Sequence, residues 1–268
     1  MLIDFHTHAF PDALAQRAIA SLSQGGGISP YTKGKVSDLI EKMNEDGVDK
    51  SVVLSIATKP TQETNVNNFA ISLLENPRLI PFGSVYPGSE TSIFEIERLK
   101  KAGIKGIKFH PEYQNFDVMD ERVFPAYEKC GELGMIVIFH AGGDVAFKAP
   151  YHSDPERLNG LCGMFPKTKF VFAHMGGFDM WQSAAEKNKR HDNMYLDTSI
   201  INTVAIIDNS VAKQIISNVG IDHILFGSDS PWEKQCDSIR GIKGLGLSEE
   251  ETDKIFSGNA IKLLGLQI

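Results

Sequence analysis

Leu2-Ile3-Asp4-Phe5-His6-Thr7-His8 reads as a β-strand that ends in a pair of metal-ligand side chains. Positions i and i+2 of a strand share a face, so His6 and His8 converge at its C-terminal end, just before Pro11. Two neutral imidazoles at one point suit a divalent transition metal. The same alternation turns Asp4 to that face, either to orient a ligand histidine or to meet another inward polar group. His-x-His is a weak signal alone, because two half-exposed histidines at a strand end look the same. Its weight comes from the later strands.

Strand-like and helix-like segments alternate through the whole chain. Further strands are expected at 48–56, 79–86, 104–110, 135–140, 169–174, 194–198 and 223–226. Helices are expected at 13–22, from Ser37 as cap to Gly47, and at 63–75, 90–102, 120–133, 155–164, 181–189, 204–219, 234–242 and 248–264. Gly25-Gly26-Gly27 is expected to form a flexible loop, a candidate lid. His110, His140, His174 and Asp229 close strands four, five, six and eight, at spacings that imply roughly 30 residues per unit, the size of a β-α repeat. Several strands are continuous apolar runs, such as Ile136-Val137-Ile138-Phe139, as parallel strands covered on both faces should be. Eight such units predict an α/β protein, a single-domain (β/α)8 TIM barrel over residues 1–268. An open doubly wound sheet would spread these strand ends along an edge, whereas a barrel gathers them around one mouth.

Composition narrows the class. A net charge of −7, with no run of Lys or Arg, argues against nucleic acid and against an anionic membrane surface. Cys130, Cys162 and Cys236 are far apart and outside any C-x-x-C, as expected for buried inert thiols in a reducing compartment. The start lacks a basic leader, and no apolar run approaches the roughly 20 residues that span a bilayer. The expectation is a cytoplasmic protein acting on a small molecule, with a homodimer as the default assembly.

Five of the eight histidines fall at strand ends, where barrel active sites are built. A buried core histidine explains one such position, not five, because each would need its own partners in an apolar barrel. His6, His8, His140 and Asp229 compose a coordination sphere for Zn²⁺, with Mn²⁺, Co²⁺ or Fe²⁺ as alternatives and one position open for water. Such an ion lowers the pKa of bound water toward neutrality. His174 is the candidate proton carrier, and Asp229 a second acceptor beside the same water. Lys108 and His110, two apart on strand four, are candidate contacts for an anionic substrate group. Trp232 either walls the pocket or packs. Trp181 carries the same ambiguity, Asp197 is a substrate contact or a helix cap, and His152 reads as an exposed loop residue.

The His-x-His strand, His140, His174, Gly227-Ser228-Asp229-Ser230-Pro231-Trp232 and the closing Ser257-Gly258-Asn259-Ala260 together resemble the amidohydrolase superfamily. More narrowly, they resemble the amidohydrolase-related group that includes aminocarboxymuconate-semialdehyde decarboxylase. The resemblance implies a (β/α)8 fold and one Zn-type ion on His6, His8, His140 and Asp229, with His174 activating water or substrate. Binuclear members bridge two ions with a carboxylated lysine on strand four. Lys108 could serve that way with His174, although Gly106-Ile107-Lys108-Phe109-His110-Pro111 looks like the mononuclear group. The first expectation is a metal-dependent hydrolase of a small carboxylated amide, lactone or ester. The alternative is a non-oxidative decarboxylase of an unsaturated or aromatic acid.

Overall fold

The computed structural model describes residues 1–202 and 206–267. Parallel strands β1 (Ile3–Thr7), β2 (Lys50–Leu54) and β3 (Leu79–Phe82) form one hydrogen-bonded run. Strands β4 (Gly106–Phe109), β5 (Ile136–Phe139), β6 (Lys169–Phe172), β7 (Met194–Asp197) and β8 (Ile224–Leu225) form the other. A bridge from Gly83 to Ile107 joins β3 to β4, and one from Thr7 to Ser230 joins β1 to the segment after β8. The second seam is reinforced where Phe5 N donates to Phe226 O and Asp229 N to His6 O. The sheet therefore closes on itself, as a (β/α)8 barrel must.

Two layers of core follow from the strand period. Ile3, Phe5, Val52, Leu54, Phe82, Ile138 and Val171 fill the barrel interior, closed at one end by Ala260, Leu263 and Leu264 of the final helix. Alternate residues such as Ile107, Phe109, Val137, Phe139 and Phe172 face the surrounding helices. Each fully buried side chain of this kind contributes about 1.5–3 kcal/mol. Asn259 ties the final helix to the barrel, its Nδ2 donating to Ile221 O and Ile224 O.

Most boundaries contract by one to three residues, and some differences have clear causes. Helix α1 runs Asp12–Gly26, so Gly25 and Gly26 are helical and only Gly27 leaves, at φ 65°. The expected glycine loop is instead a helix end with a left-handed cap. Helix α2 (Val36–Asp46) is capped at Lys35, whose N–H donates to Asp38, and Ser37 lies inside it. Helix α3 (Glu63–Ser72) ends early in a 3₁₀ turn, and α4 spans Ser92–Ala102. The helix expected at 204–219 is observed over Asn209–Val219, where Asp208 caps it; Val204 lies outside the described residues.

Candidate metal centre

Strand β1 carries an irregularity that places the histidines. Asp4 pairs with Ser51 and Thr7 with Val53, so two residues on β1 oppose one on β2. One extra residue is a β-bulge, which breaks alternation and re-aims side chains. Phe5 remains in the barrel interior while both His6 and His8 line the cavity at the barrel mouth. Asp4 does not join them. It is buried against the β8 side, accepting from Ser228 N (3.0 Å), Ser228 Oγ (2.5 Å) and Gln235 Nε2 (2.7 Å). Both readings for Asp4 have a contact behind them, because it meets these polar neighbours and also accepts from the backbone N–H of His6 (3.1 Å).

The tautomers follow from the acceptors around the rings. His6 Nδ1 donates to Asp197 Oδ2 (2.8 Å), and His8 Nδ1 to Leu54 O (3.0 Å). His140 Nε2 donates to Gly143 O (2.6 Å). Ser199 Oγ gives its proton to Asp197 Oδ1 (2.5 Å), so His174 Nδ1 must be the donor in its 2.8 Å contact with that hydroxyl. Each neutral ring is left with one bare nitrogen. His6 Nε2 and His8 Nε2 lie 3.3 and 3.0 Å from Asp229 Oδ1, a buried oxygen without a hydrogen-bond partner. His140 Nδ1 and His174 Nε2 lie 2.9 Å apart, lone pair to lone pair.

Burial reinforces that state. It pushes His140 down to about 3 and His6 and His174 well below the ordinary imidazole value. At Asp229 burial works upward, but His6 and His8 outweigh it and hold the carboxyl below its usual range. Lone pairs and a carboxylate that face one another without protons repel unless a cation lies among them. The donor set therefore fits a divalent ion. His6, His8 and Asp229 form one compact group of ligand atoms; His140 lines the same cavity but stands outside that group, against His174.

A second compact group, His110, His140 and Asp144, does not offer a comparable set. His110 Nδ1 accepts from Tyr113 N (3.4 Å), which leaves its Nε2 to donate to Asp144 Oδ2 (3.3 Å). His140 Nε2 is already committed to Gly143 O. Asp144 was not singled out from the sequence, since it lies in the loop after β5. Gly142 makes that loop possible: at φ 83°, a side chain there would collide with the backbone of Gly177 and Phe178.

The remaining candidates separate. Lys108 is 1% exposed and lines the cavity, and its ammonium has no hydrogen-bond partner. Burial pushes it down to about 8 against the pull of Asp197 and Asp229. Trp232 walls the cavity and also packs on Ile19, Phe178 and Ile200. Trp181 Nε1 donates to His174 O (2.9 Å), supporting a left-handed residue at φ 57°. Asp197 proves to be an orienting group for His6 and, through Ser199, for His174. His152 is half-buried, paired with buried Glu112 (2.9 Å) and away from the cavity. Ser199 had no sequence signal; only contact across β6 and β7 reveals it.

The cavity holds about 190 Å³. Beyond the polar cluster its wall includes Phe10, Ile28, Ile56, Val145 and Phe178. No described helix is long and apolar enough to cross a membrane.

Comparison with known proteins places this geometry in context. The family described as Amidohydrolase matches residues 3–266. A 2-amino-3-carboxymuconate-6-semialdehyde decarboxylase of Dictyostelium discoideum is 25% identical, over 85% of this chain and 76% of that protein. A dihydroorotase of Helicobacter acinonychis is 24% identical, over 66% of this chain and 54% of its own length. Among solved structures, a dihydroxybenzoic acid decarboxylase from a Polaromonas species, with bound manganese and the inhibitor 2-nitroresorcinol, superposes with a TM-score of 0.71. The two share 18% identity and cover 99% and 97% of the respective chains.

Proposed function

Because the chain belongs to the amidohydrolase family that matches residues 3–266, we propose that it is a divalent-metal-dependent carboxy-lyase that removes CO₂ from a small unsaturated or aromatic acid. The observation that carries the metal is the approach of the bare His6 and His8 nitrogens to an unpartnered Asp229 oxygen, with the bare His140 and His174 nitrogens facing each other in the same cavity. Carbon–carbon cleavage is favoured by the apolar wall, which suits a ring or unsaturated chain, and by the likeness to a decarboxylase over most of both chains.

His6, His8, His140 and Asp229 would hold the ion, Zn²⁺ or Mn²⁺. When bound, a divalent ion supplies positive charge beside the substrate's oxygens. Lys108 holds the carboxylate, and Trp232 and Phe178 confine the body of the substrate. His110, fixed by Asp144, borders the seat. For an acid that also bears a hydroxyl, His174 Nε2, unprotonated at neutral pH, takes the hydroxyl proton, leaving an oxyanion, and passes it to the carbon that loses CO₂; water reprotonates the oxyanion. The broken bond's electron pair ends in the new C–H bond.

The second reading is hydrolysis of a carboxylated amide, lactone or ester, supported by the likeness to dihydroorotase. There His174 or Asp229 accepts the proton of the attacking water and returns it to the leaving group. The deciding experiment supplies carboxyl-labelled aromatic and unsaturated acids, alongside lactones and amides, to protein loaded with Mn²⁺ or Zn²⁺. The expected result is labelled CO₂, abolished in His174→Asn. Ring or amide opening without CO₂ would transfer the assignment to hydrolysis.

A further inference from the structure

We propose that Trp181 is a positioning residue for His174: its indole N–H holds the backbone turn that aims the His174 ring into the cavity. Trp181 acts on the proton carrier of the carboxy-lyase reading, and the proposal rests on that reading for what His174 does.

His174 and Met175 are consecutive residues in the left-handed region, at φ 57° and 56°, and neither is glycine. A side chain disfavours that conformation, so surrounding contacts must hold it. The His174 N–H donates to Asp197 Oδ1 (3.0 Å), and its Nδ1 to Ser199 Oγ (2.8 Å). Both of these partners belong to the end of β7 and the residues just after it. From the other side, the His174 carbonyl accepts the Trp181 indole N–H at 2.9 Å and the Gly177 N–H at a longer 3.3 Å. Trp181 opens the helix Trp181–Lys187, so its indole ties the turn to the helical layer. With its N–H, carbonyl and Nδ1 all engaged, His174 turns Nε2 toward His140.

Trp181 also braces the cavity wall. Its ring meets Phe178 edge-on at 5.7 Å, and Phe178 meets the His174 ring edge-on at 5.9 Å. Phe178 lines the cavity, whereas Trp181 is not among the residues that do. Trp181→Phe separates the two contributions. A phenyl ring still packs on Phe178, but the His174 carbonyl keeps the longer Gly177 bond alone. The turn is then free to relax, and a misplacement of about 1 Å costs roughly 100-fold in rate. The loss falls on kcat, because Trp181 is outside the cavity and His174 is not an assigned metal ligand.

The test is nuclear magnetic resonance of Zn²⁺-loaded protein carrying ¹⁵N-labelled histidine, with the His174 Nδ1–H signal identified by its loss in His174→Asn. In Trp181→Phe this proton should exchange with water at least about tenfold faster. The His223 Nδ1–H, bonded to Met194 O, and the zinc content should stay as they were. On an acid that releases CO₂, kcat should fall about tenfold or more, with KM within about twofold. An unchanged His174 signal overturns the proposal. So does equal loss of protection at His174 and His223, which marks general loosening, or a raised KM with kcat unchanged. The unaltered protein offers a further check. The chain has two tryptophans, and the Trp181 indole signal is the one that survives Trp232→Phe. Its proton should show the weak temperature dependence of a hydrogen-bonded N–H; the strong dependence of a solvated one overturns the proposal even where Trp181→Phe does not fold. Selective loss of His174 protection in Trp181→Phe, without CO₂ release from any acid, upholds this proposal and removes the carboxy-lyase reading instead.

Discussion

Asp197 shows how much a single buried side chain sets. One oxygen fixes the His6 tautomer and the other receives the Ser199 hydroxyl and the backbone N–H of His174. Asp197→Asn keeps the shape but can present an N–H to His6 Nδ1, which favours the wrong tautomer. Metal affinity should fall about 10–100-fold, measured by competition with a chromophoric chelator; unchanged affinity would remove Asp197 from this role. The thiols give a second prediction. Burial pushes Cys162 up to about 12 and Cys130 higher, and Cys236, partly buried near Asp46, is raised as well. Native protein should therefore show at most one readily titrated thiol, Cys236, and all three only after unfolding. The ligand-type residues at this scale were legible because they are rare and fall at strand ends. Asp144 and Ser199 were not, because nothing local distinguishes them from loop residues.

At the scale of elements, the decisive feature is the bulge in β1. Strict alternation would give His6, His8 and Asp4 one common face. The extra residue between Asp4 and Thr7 sends Asp4 to the β8 seam and leaves the histidines at the mouth. A bulge depends on how two strands pair, so one strand's sequence does not announce it. The helices have their own buried tie. Glu95 on α4 accepts from Asn67 of α3 (2.7 Å) and from Arg98 (2.7 Å), and Asn67 Oδ1 accepts from Ser84 N (2.9 Å) after β3. Burial alone would raise the Glu95 carboxyl, but Arg98 and Asn67 overcome it, and it lies below its usual value of 4.5. Its contribution is then complete above the unfolded value and is lost as pH falls through the lower folded value. Glu95→Gln should cost about 1–3 kcal/mol at pH 7. The gap in urea midpoint should narrow as pH falls below 4.5; a gap that stays equal in acid and at pH 7 would exclude the ionised carboxylate as its source.

For the whole molecule, the metal should act as a structural ligand as well. His6 comes from β1, His8 and His140 from the residues just after β1 and β5, and Asp229 from the segment after β8, so an ion held by them would link both ends of the chain. At metal 100 times above its dissociation constant, the stabilisation is about 2.7 kcal/mol, and chelation should lower the melting temperature by roughly 5–10 °C. A melting temperature indifferent to both chelator and added metal would contradict the assigned site. What sequence alone determined was the repeat: apolar strands of period two, helices between them, roughly 30 residues per unit and ligand-type side chains at the strand ends. Those are local patterns, written in adjacent residues. Tertiary structure alone decided which lone pairs face one another, which carboxylates orient and which could bind, and that Lys108 stands buried without a partner. Such relations join residues as far apart as His6 and Asp229, and they arise only when barrel closure brings the two chain ends within hydrogen-bonding distance.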